Sequence, residues 1–446
     1  MSRNLCIKNW WLHRVFMLSG VSALCLFSVA GSSQAQDLPG LLPQVLENSA
    51  ELSAFDARKD GAEAAVDEAR AAFLPSLGAK FSYGHSSSHI ENGGTTTDSS
   101  SKTYSYGVSA TLPLFRGGQH VHGLKSAKFE AKAVTLERFD KKQEISLEAI
   151  DAYLGVIRDR QIVSLRMENA ENLAAIRSSQ EVRFRLGEGT RTDIALARIQ
   201  LELTRSEKRQ AQGRLRTSEL TYEKLTGGSA SALMAPDSLH HLLPRSAAEV
   251  RDRAASQNPK VKVAAARSEA ARHAAKAKFG EALPSVDLTA SYDWSHDQVD
   301  GTDLEETGYI GVSVSIPLFA PQAYAGIRKS KALSRQRDYE AQDAAIGVQY
   351  AADIAWGDYL TARDRIVSLQ ARKKAALDAE YGTGREYKAG TKDVSGLLDA
   401  RERVVDAEID LVFAEYDRSY AAYVLLATIG ELGGYDETAY LPEFSD

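Results

Sequence analysis

Cysteine is nearly missing from this 446-residue sequence: Cys6 and Cys25 are the only two, and both precede residue 36. The rest of the chain therefore has no thiol for a disulfide, a thiolate metal site or a cysteine nucleophile. Proline is absent from 114 to 235 and again from 322 to 441, so two very long stretches lack the residue that would break a helix. After residue 35 no apolar run reaches ~18 residues, which excludes a membrane-spanning helix. If the chain crosses a membrane, it must do so with β-strands. An excess of positive charge is also lacking. The 54 Lys and Arg stand against 60 Asp and Glu, and without Arg3, Lys8 and Arg14 the net charge is near -9. Such a chain has no basic stripe and is a poor nucleic-acid binder.

What is present begins with an export signature. Arg3, Lys8 and Arg14 precede an apolar run from Val15 to Ala30, followed by Ser33-Gln34-Ala35, which reads as a signal peptide over residues 1–35. Cys25 lies inside the apolar run behind bulky Leu24, so it is not read as a lipid-attachment site.

The remainder reads as two copies of one unit. Leu74-Pro75-Ser76 returns as Leu283-Pro284-Ser285, and Pro113-Leu114-Phe115 returns as Pro317-Leu318-Phe319. Arg158-Asp159-Arg160 returns as Arg363-Asp364-Arg365, and Gly187 with Ala197-Arg198 returns as Gly390 with Ala400-Arg401. Matches in this order across both halves predict a duplicated architecture. We place the first unit at 36–227, a linker at 228–257, the second unit at 258–430 and a C-terminal tail at 431–446.

Each unit opens with an Ala- and Glu-rich helix, then switches to period two. Leu77, Ala79, Phe81 and Tyr83 alternate with Gly78, Lys80, Ser82 and Gly84, the pattern of a strand with two unlike faces. The Ser/Thr/Asn/Gly-rich stretch 86–102 reads as a loop, and alternation resumes through Tyr104, Tyr106, Val108, Ala110 and Leu112. The second unit repeats the plan with a loop near 296–307. We thus expect hairpins at 76–114 and 285–318. Each is followed by two long helices, 119–226 and 322–429, that turn back at Gly187/Gly189 and at Gly390. A helix from 119 to 186 would run ~100 Å and needs a packing partner along its length; Leu397/Val404/Leu411 and Leu398/Val405/Val412 supply a heptad seam.

Four amphipathic strands leave two open edges, and membrane barrels start at about eight strands. Several copies must therefore combine, and a homotrimer would supply 12. Tyr83, Tyr104, Tyr106, Tyr292 and Trp294 near the strand ends fit an aromatic belt against lipid. Catalytic constellations are not found. His120 with His122, and His240-His241, lack a third ligand nearby in sequence, Gly187-Glu188-Gly189 is too short for a phosphate loop, and no cofactor is expected. The chain is not read as an enzyme.

Taken together, these motifs make the chain resemble the TolC-like outer-membrane efflux and type I secretion proteins. The resemblance rests on the duplication, the Leu-Pro-Ser strand starts, Pro113-Leu-Phe-Arg-Gly-Gly118, and Ala389-Gly390-Thr391-Lys392 with Leu398-Asp399-Ala400-Arg401. The second strand end departs from the pattern, reading Phe319-Ala320-Pro321-Gln322. The resemblance implies an α+β membrane protein: a trimeric 12-stranded transmembrane β-barrel continued by a 12-helix periplasmic α-barrel, with 228–257 and the tail in an equatorial band. It implies partners as well, namely a periplasmic adaptor (membrane fusion) protein and an inner-membrane pump of ABC or RND type. It further implies that the tips Leu186, Gly187, Glu188, Gly189, Ala389, Gly390 and Thr391 dock the adaptor. A closing latch falls on Tyr387 and Lys392 facing Thr192 and Asp193. Of two aspartate rings at the constriction, this chain keeps Asp399 and has Gly at 396. The residues also admit a second reading, a non-transporting structural or adhesive envelope protein with a helical stalk.

Overall fold

The computed structural model describes residues 38–236, 239–297 and 304–432, so the expected signal peptide and residues 433–446 of the tail lie outside the described residues. The chain runs α1 (Leu38–Asn48), α2 (Ala50–Ala71), β1 (Ser76–Asn92), β2 (Thr95–Arg116), α3 (Gln119–Arg185), α4 (Arg191–Thr226), α5 (Ala247–Gln257), α6 (Pro259–Gly280), β3 (Ser285–Asp297), β4 (Glu305–Ser315), α7 (Pro321–Lys388) and α8 (Val394–Thr428). The order helix, hairpin, long helix, returning helix occurs in each half. None of the described helices is long and apolar enough to cross a membrane.

The four strands form one antiparallel sheet in the order β1-β2-β3-β4. Its register settles which side chains share a face. Phe81 pairs with Tyr106, which pairs with Trp294; Ala79 pairs with Val108, then Tyr292; Leu288 pairs with Val312. One face is therefore apolar across all four strands. The other carries Ser82 opposite Ser105 and Thr111 opposite Thr289, and an Arg116–Asp287 ion pair at 2.8 Å. Among the described residues nothing covers the apolar face: Leu77 is 83% exposed and Ile310 76%.

Three expectations need correction. The stretch 86–102 is not a loop, because β1 and β2 stay paired from Ser76↔Thr111 to Asn92↔Thr95 and only Gly93-Gly94 turn. Both turn glycines have positive φ, 60° and 86°, as a two-residue hairpin turn with the right twist demands, and Thr95–Thr97 are β-branched residues that favour strands. The second hairpin stops short of 318: β4 ends at Ser315, ahead of Pro317, which has no N–H to extend the ladder. Residues 296–297 and 305–307, expected in a loop, belong to β3 and β4; 298–303 lie outside the described residues.

The strand-to-helix junction of the first half depends on two glycines. Gly117 has φ +58, and a Cβ there would stand 2.5 Å from the Gly280 carbonyl oxygen; one on Gly280 would stand 2.7 Å from that of Gly117. Only bare backbones fit this crossing. The largest core lies where both halves meet, with Leu41, Val45, Ile150, Tyr153, Tyr222, Val250, Leu425 and Ile429 buried together. The segment 228–257 packs onto it through Ala230, Leu233 and Leu243, and the Tyr153 hydroxyl donates to the Met234 carbonyl at 2.6 Å. Asn258 starts α6 and donates to the Thr428 carbonyl at 2.9 Å, tying the end of α8 to the start of α6.

Candidate functional site

The two long helical hairpins end in turns built alike. In the first, the amide of Gly187 donates to Phe184 and that of Glu188 to Arg183; in the second, Gly390 donates to Tyr387 and Thr391 to Glu386. Gly187 and Gly390 sit at φ +78 and +77, the left-handed residue that closes a helix while satisfying its last carbonyls. Three residues on, each returning helix is capped. Thr190 accepts from the Asp193 amide at 3.1 Å while the Asp193 carboxylate receives the Thr190 amide at 2.9 Å. Asp393 receives the Gly396 amide at 3.1 Å and the Ser395 hydroxyl at 2.9 Å. Those donors, the backbone amide first, hold the Asp393 carboxyl below its ordinary range. Threonine followed three residues later by an acid signals such a cap in sequence, a signal our reading of the turns did not use.

Leu186, Gly187, Glu188, Ala389, Gly390 and Thr391 are exposed at these turns, and Gly189 is half-buried against Arg183. Three of the four latch positions are engaged locally within the protomer. Tyr387 receives the Gln180 amide on its hydroxyl at 2.6 Å, and the Arg183 guanidinium stands over its ring at 5.1 Å. Lys392 pairs with Glu386 at 3.4 Å. Its stem lies across Gly396, where a Cβ would be 3.2 Å away. Asp193 serves the Thr190 cap, and Thr192 is exposed. Asp399 is exposed between buried Leu398 and Ala400. Gln180 and Arg183 were missed by sequence reasoning because nothing in their own helix marks the tyrosine that reaches them from another.

Just inside the turns, Leu173, Leu201, Val394 and Leu398 bury one another and Tyr387 packs on them, joining α3, α4 and α8. Of the heptad seam, Leu398, Val404 and Val405 are buried, and Leu411 packs beside Ile366 and Ala414. At the other end, Tyr83 lies 4.8 Å from Tyr104, and Tyr106 stacks on Trp294 at 5.3 Å with Tyr292 beside it. All five rings share the apolar sheet face. The fold also brings His273 of α6 to His122, Nδ1 to Nδ1 at 3.2 Å, while His120 packs edge-on to Phe73.

A family model described as "Outer membrane efflux protein" matches residues 41–228 and 250–431. The chain belongs to the outer membrane efflux protein family. As a member it is an outer-membrane protein of the efflux and secretion channels, TolC-like and reaching into the periplasm. Among its relatives is the outer membrane efflux protein BepC of Brucella suis, 28% identical over 416 residues covering 92% of this chain and 89% of that one. The outer membrane protein TolC of Vibrio cholerae is 24% identical, covering 92% and 94%. Of solved structures, the outer membrane protein VceC of Vibrio cholerae superposes with a TM-score of 0.77 at 18% identity, covering 90% and 97%, and shares the fold.

Proposed function

We propose that three copies of this chain close a 12-stranded barrel in the outer membrane, continued by 12 helices through the periplasm. The product is a passive exit duct for a tripartite export system. The observation that carries this reading is the four-stranded sheet: among the described residues one face is apolar and uncovered, and β1 and β4 each leave an edge unpaired. Lipid would cover the face, and pairing of β1 with β4 of the next copy would remove every edge. The polar face would line a water-filled lumen. Family membership supports the export role, efflux or type I secretion, with a periplasmic adaptor and an inner-membrane pump as partners.

The closed mouth would form where six helical turns converge, with Tyr387 and Lys392 meeting Thr192 and Asp193, and with the exposed tips receiving the adaptor. An exposed Lys–carboxylate contact contributes only ~0–1 kcal/mol, a strength adaptor contacts can overcome. Three Asp399 side chains facing the axis would favour cations. The mass of the detergent-extracted protein together with planar-bilayer recording tests the reading: three copies forming discrete channels support it, and a monomer soluble without detergent overturns it. Lys392→Ser should raise the conductance, and an unchanged conductance would remove the latch. Asp399→Asn should abolish a mild cation preference; an unshifted reversal potential would dismiss that role.

A further inference from the structure

One helical turn beyond Asp399 lies a polar knot that the latch does not use. Glu402 of α8 receives side-chain hydrogen bonds from three residues of the other hairpin. These are Arg166 Nη1 at 3.1 Å and Asn169 Nδ2 at 3.5 Å from α3, and Gln200 Nε2 at 3.1 Å from α4. Arg166 also pairs with Glu207 of α4 at 3.0 Å and lies 3.9 Å from Asp406 of α8. The Arg166 side chain is only 14% exposed, and Asn169 is buried. The neighbouring Arg401 reaches Glu380 of α7 at 2.9 Å and Glu168 of α3 at 3.6 Å.

We propose that Glu402 is the brake on the second hairpin: it holds α8 against α3 and α4 within one protomer, and the mouth opens only when it releases its donors. This rests on the reading of the chain as a duct closed at its helical turns. Most other ion pairs of the region cannot do this work; Arg401–Glu168 also crosses from α8 to α3, but at 3.6 Å and with the Glu168 side chain 68% exposed it is a weaker tie. Arg365–Asp417, Arg372–Asp410 and Lys373–Glu408 all join α7 to α8, so they travel with the hairpin when it swings. The apolar contacts of Leu173, Leu201, Val394 and Leu398 are non-directional and tolerate sliding. Hydrogen bonds onto one carboxylate from two helices are directional, and they are either made or broken. The knot is also short of positive charge. One guanidinium serves Glu207, Glu402 and Asp406, so its loss would leave carboxylates of α4 and α8 repelling across the helix boundary. A displaced α8 would thus be pushed further from α4.

The test is the single-channel conductance of purified full-length protein in planar bilayers, with mass and thermal midpoint measured on the same samples. Glu402→Ala should raise conductance several-fold, and Arg166→Met should raise it at least as much. The double variant should do no more than the larger single change, because both remove one tie. Should Glu402→Ala fail to assemble, Glu402→Gln carries the test, since it keeps the volume and loses only the charge; a smaller rise is expected there. If the wild type forms channels and Glu402→Gln and Glu402→Ala conduct as it does, the brake is overturned while the duct stands. Additive effects of Arg166→Met and Glu402→Ala would overturn it too, by showing two separate roles. A wild type that forms no channel removes the duct and the brake together.

Discussion

The two halves of the chain reach the same order of elements by different local devices. Where β2 passes into α3, the first half uses Gly117 and Gly118 at φ +58 and +79. Where β4 passes into α7, the second half uses Ala320 at φ -133 followed by Pro321 in the first turn of the helix. At the helical turns, the glycine after each helix is kept at nearly the same φ, but the cap is a reciprocal Thr190–Asp193 pair in one and Asp393 alone in the other. What both halves retain is a backbone requirement, a left-handed residue and a satisfied helix start. What they vary is the side chain that satisfies it, and the charge at the turn varies too: Gly189 in one turn stands where the other has Lys392.

That contrast can be broken first at the strand-to-helix junctions. Gly117→Val should cost about 2–3 kcal/mol, from the strained φ and the approach of the Gly280 carbonyl, whereas Ala320→Val should change stability little. Thermal midpoints of the two purified variants check this, and equal losses would show that the junctions are equivalent after all. A smaller difference is expected at the caps. Thr190→Ala should cost about 1 kcal/mol and let the Leu186–Thr190 turn exchange its amides faster; Asp393→Asn, which keeps a good cap, should leave the second turn protected. Hydrogen exchange resolved to the two turns reads this directly.

The smallest effect is a difference of sign with pH. The folded Asp393 carboxyl is lowered by its cap, so that cap stabilises above the ordinary carboxylate pKa and is lost as pH falls through the lowered value. Glu207 and Asp406 are shifted the other way, burial being the largest cause for both, followed at Glu207 by an opposing pull from Arg166 and at Asp406 by repulsion from Glu402. The folded state holds their protons where the unfolded state has released them. Stability should therefore decline as pH rises from the ordinary carboxylate value through the raised one, and then level off. Glu207→Gln should flatten that decline, and Asp393→Asn should flatten the acid-side loss. Midpoints recorded against pH that move together in both variants would contradict the assignment.

Much of this was legible in residues alone. The hairpins announced themselves by alternation through Leu77–Tyr83 and Tyr104–Leu112, and the long helices by stretches without proline that turn back at Gly187 and Gly390. The family followed from motifs such as Pro113–Gly118 and Ala389–Lys392. The 86–102 stretch reads as a loop because its residues are polar at both alternate positions, with Ile90 the one exception: alternation carries a signal only when one face differs from the other, and the pairing of Ser87 with Ser100 leaves no such trace. Gln180 and Arg183 around Tyr387, and Arg166, Asn169 and Gln200 around Glu402, left none either. Each is an ordinary polar residue on a long helix, between 202 and 236 positions from the tyrosine or glutamate it meets on the other hairpin.

By itself the sequence determined the periodicities, the places where the backbone must turn and hence the succession of strands and helices, because those depend on neighbours within a few residues. Only the tertiary structure decided that the apolar sheet face stays uncovered, that Gly117 meets Gly280, and that Glu402 gathers donors from two other helices. Such contacts depend on the axial register and rotation of helices more than a hundred residues apart, and packing of whole elements, not local propensity, sets both.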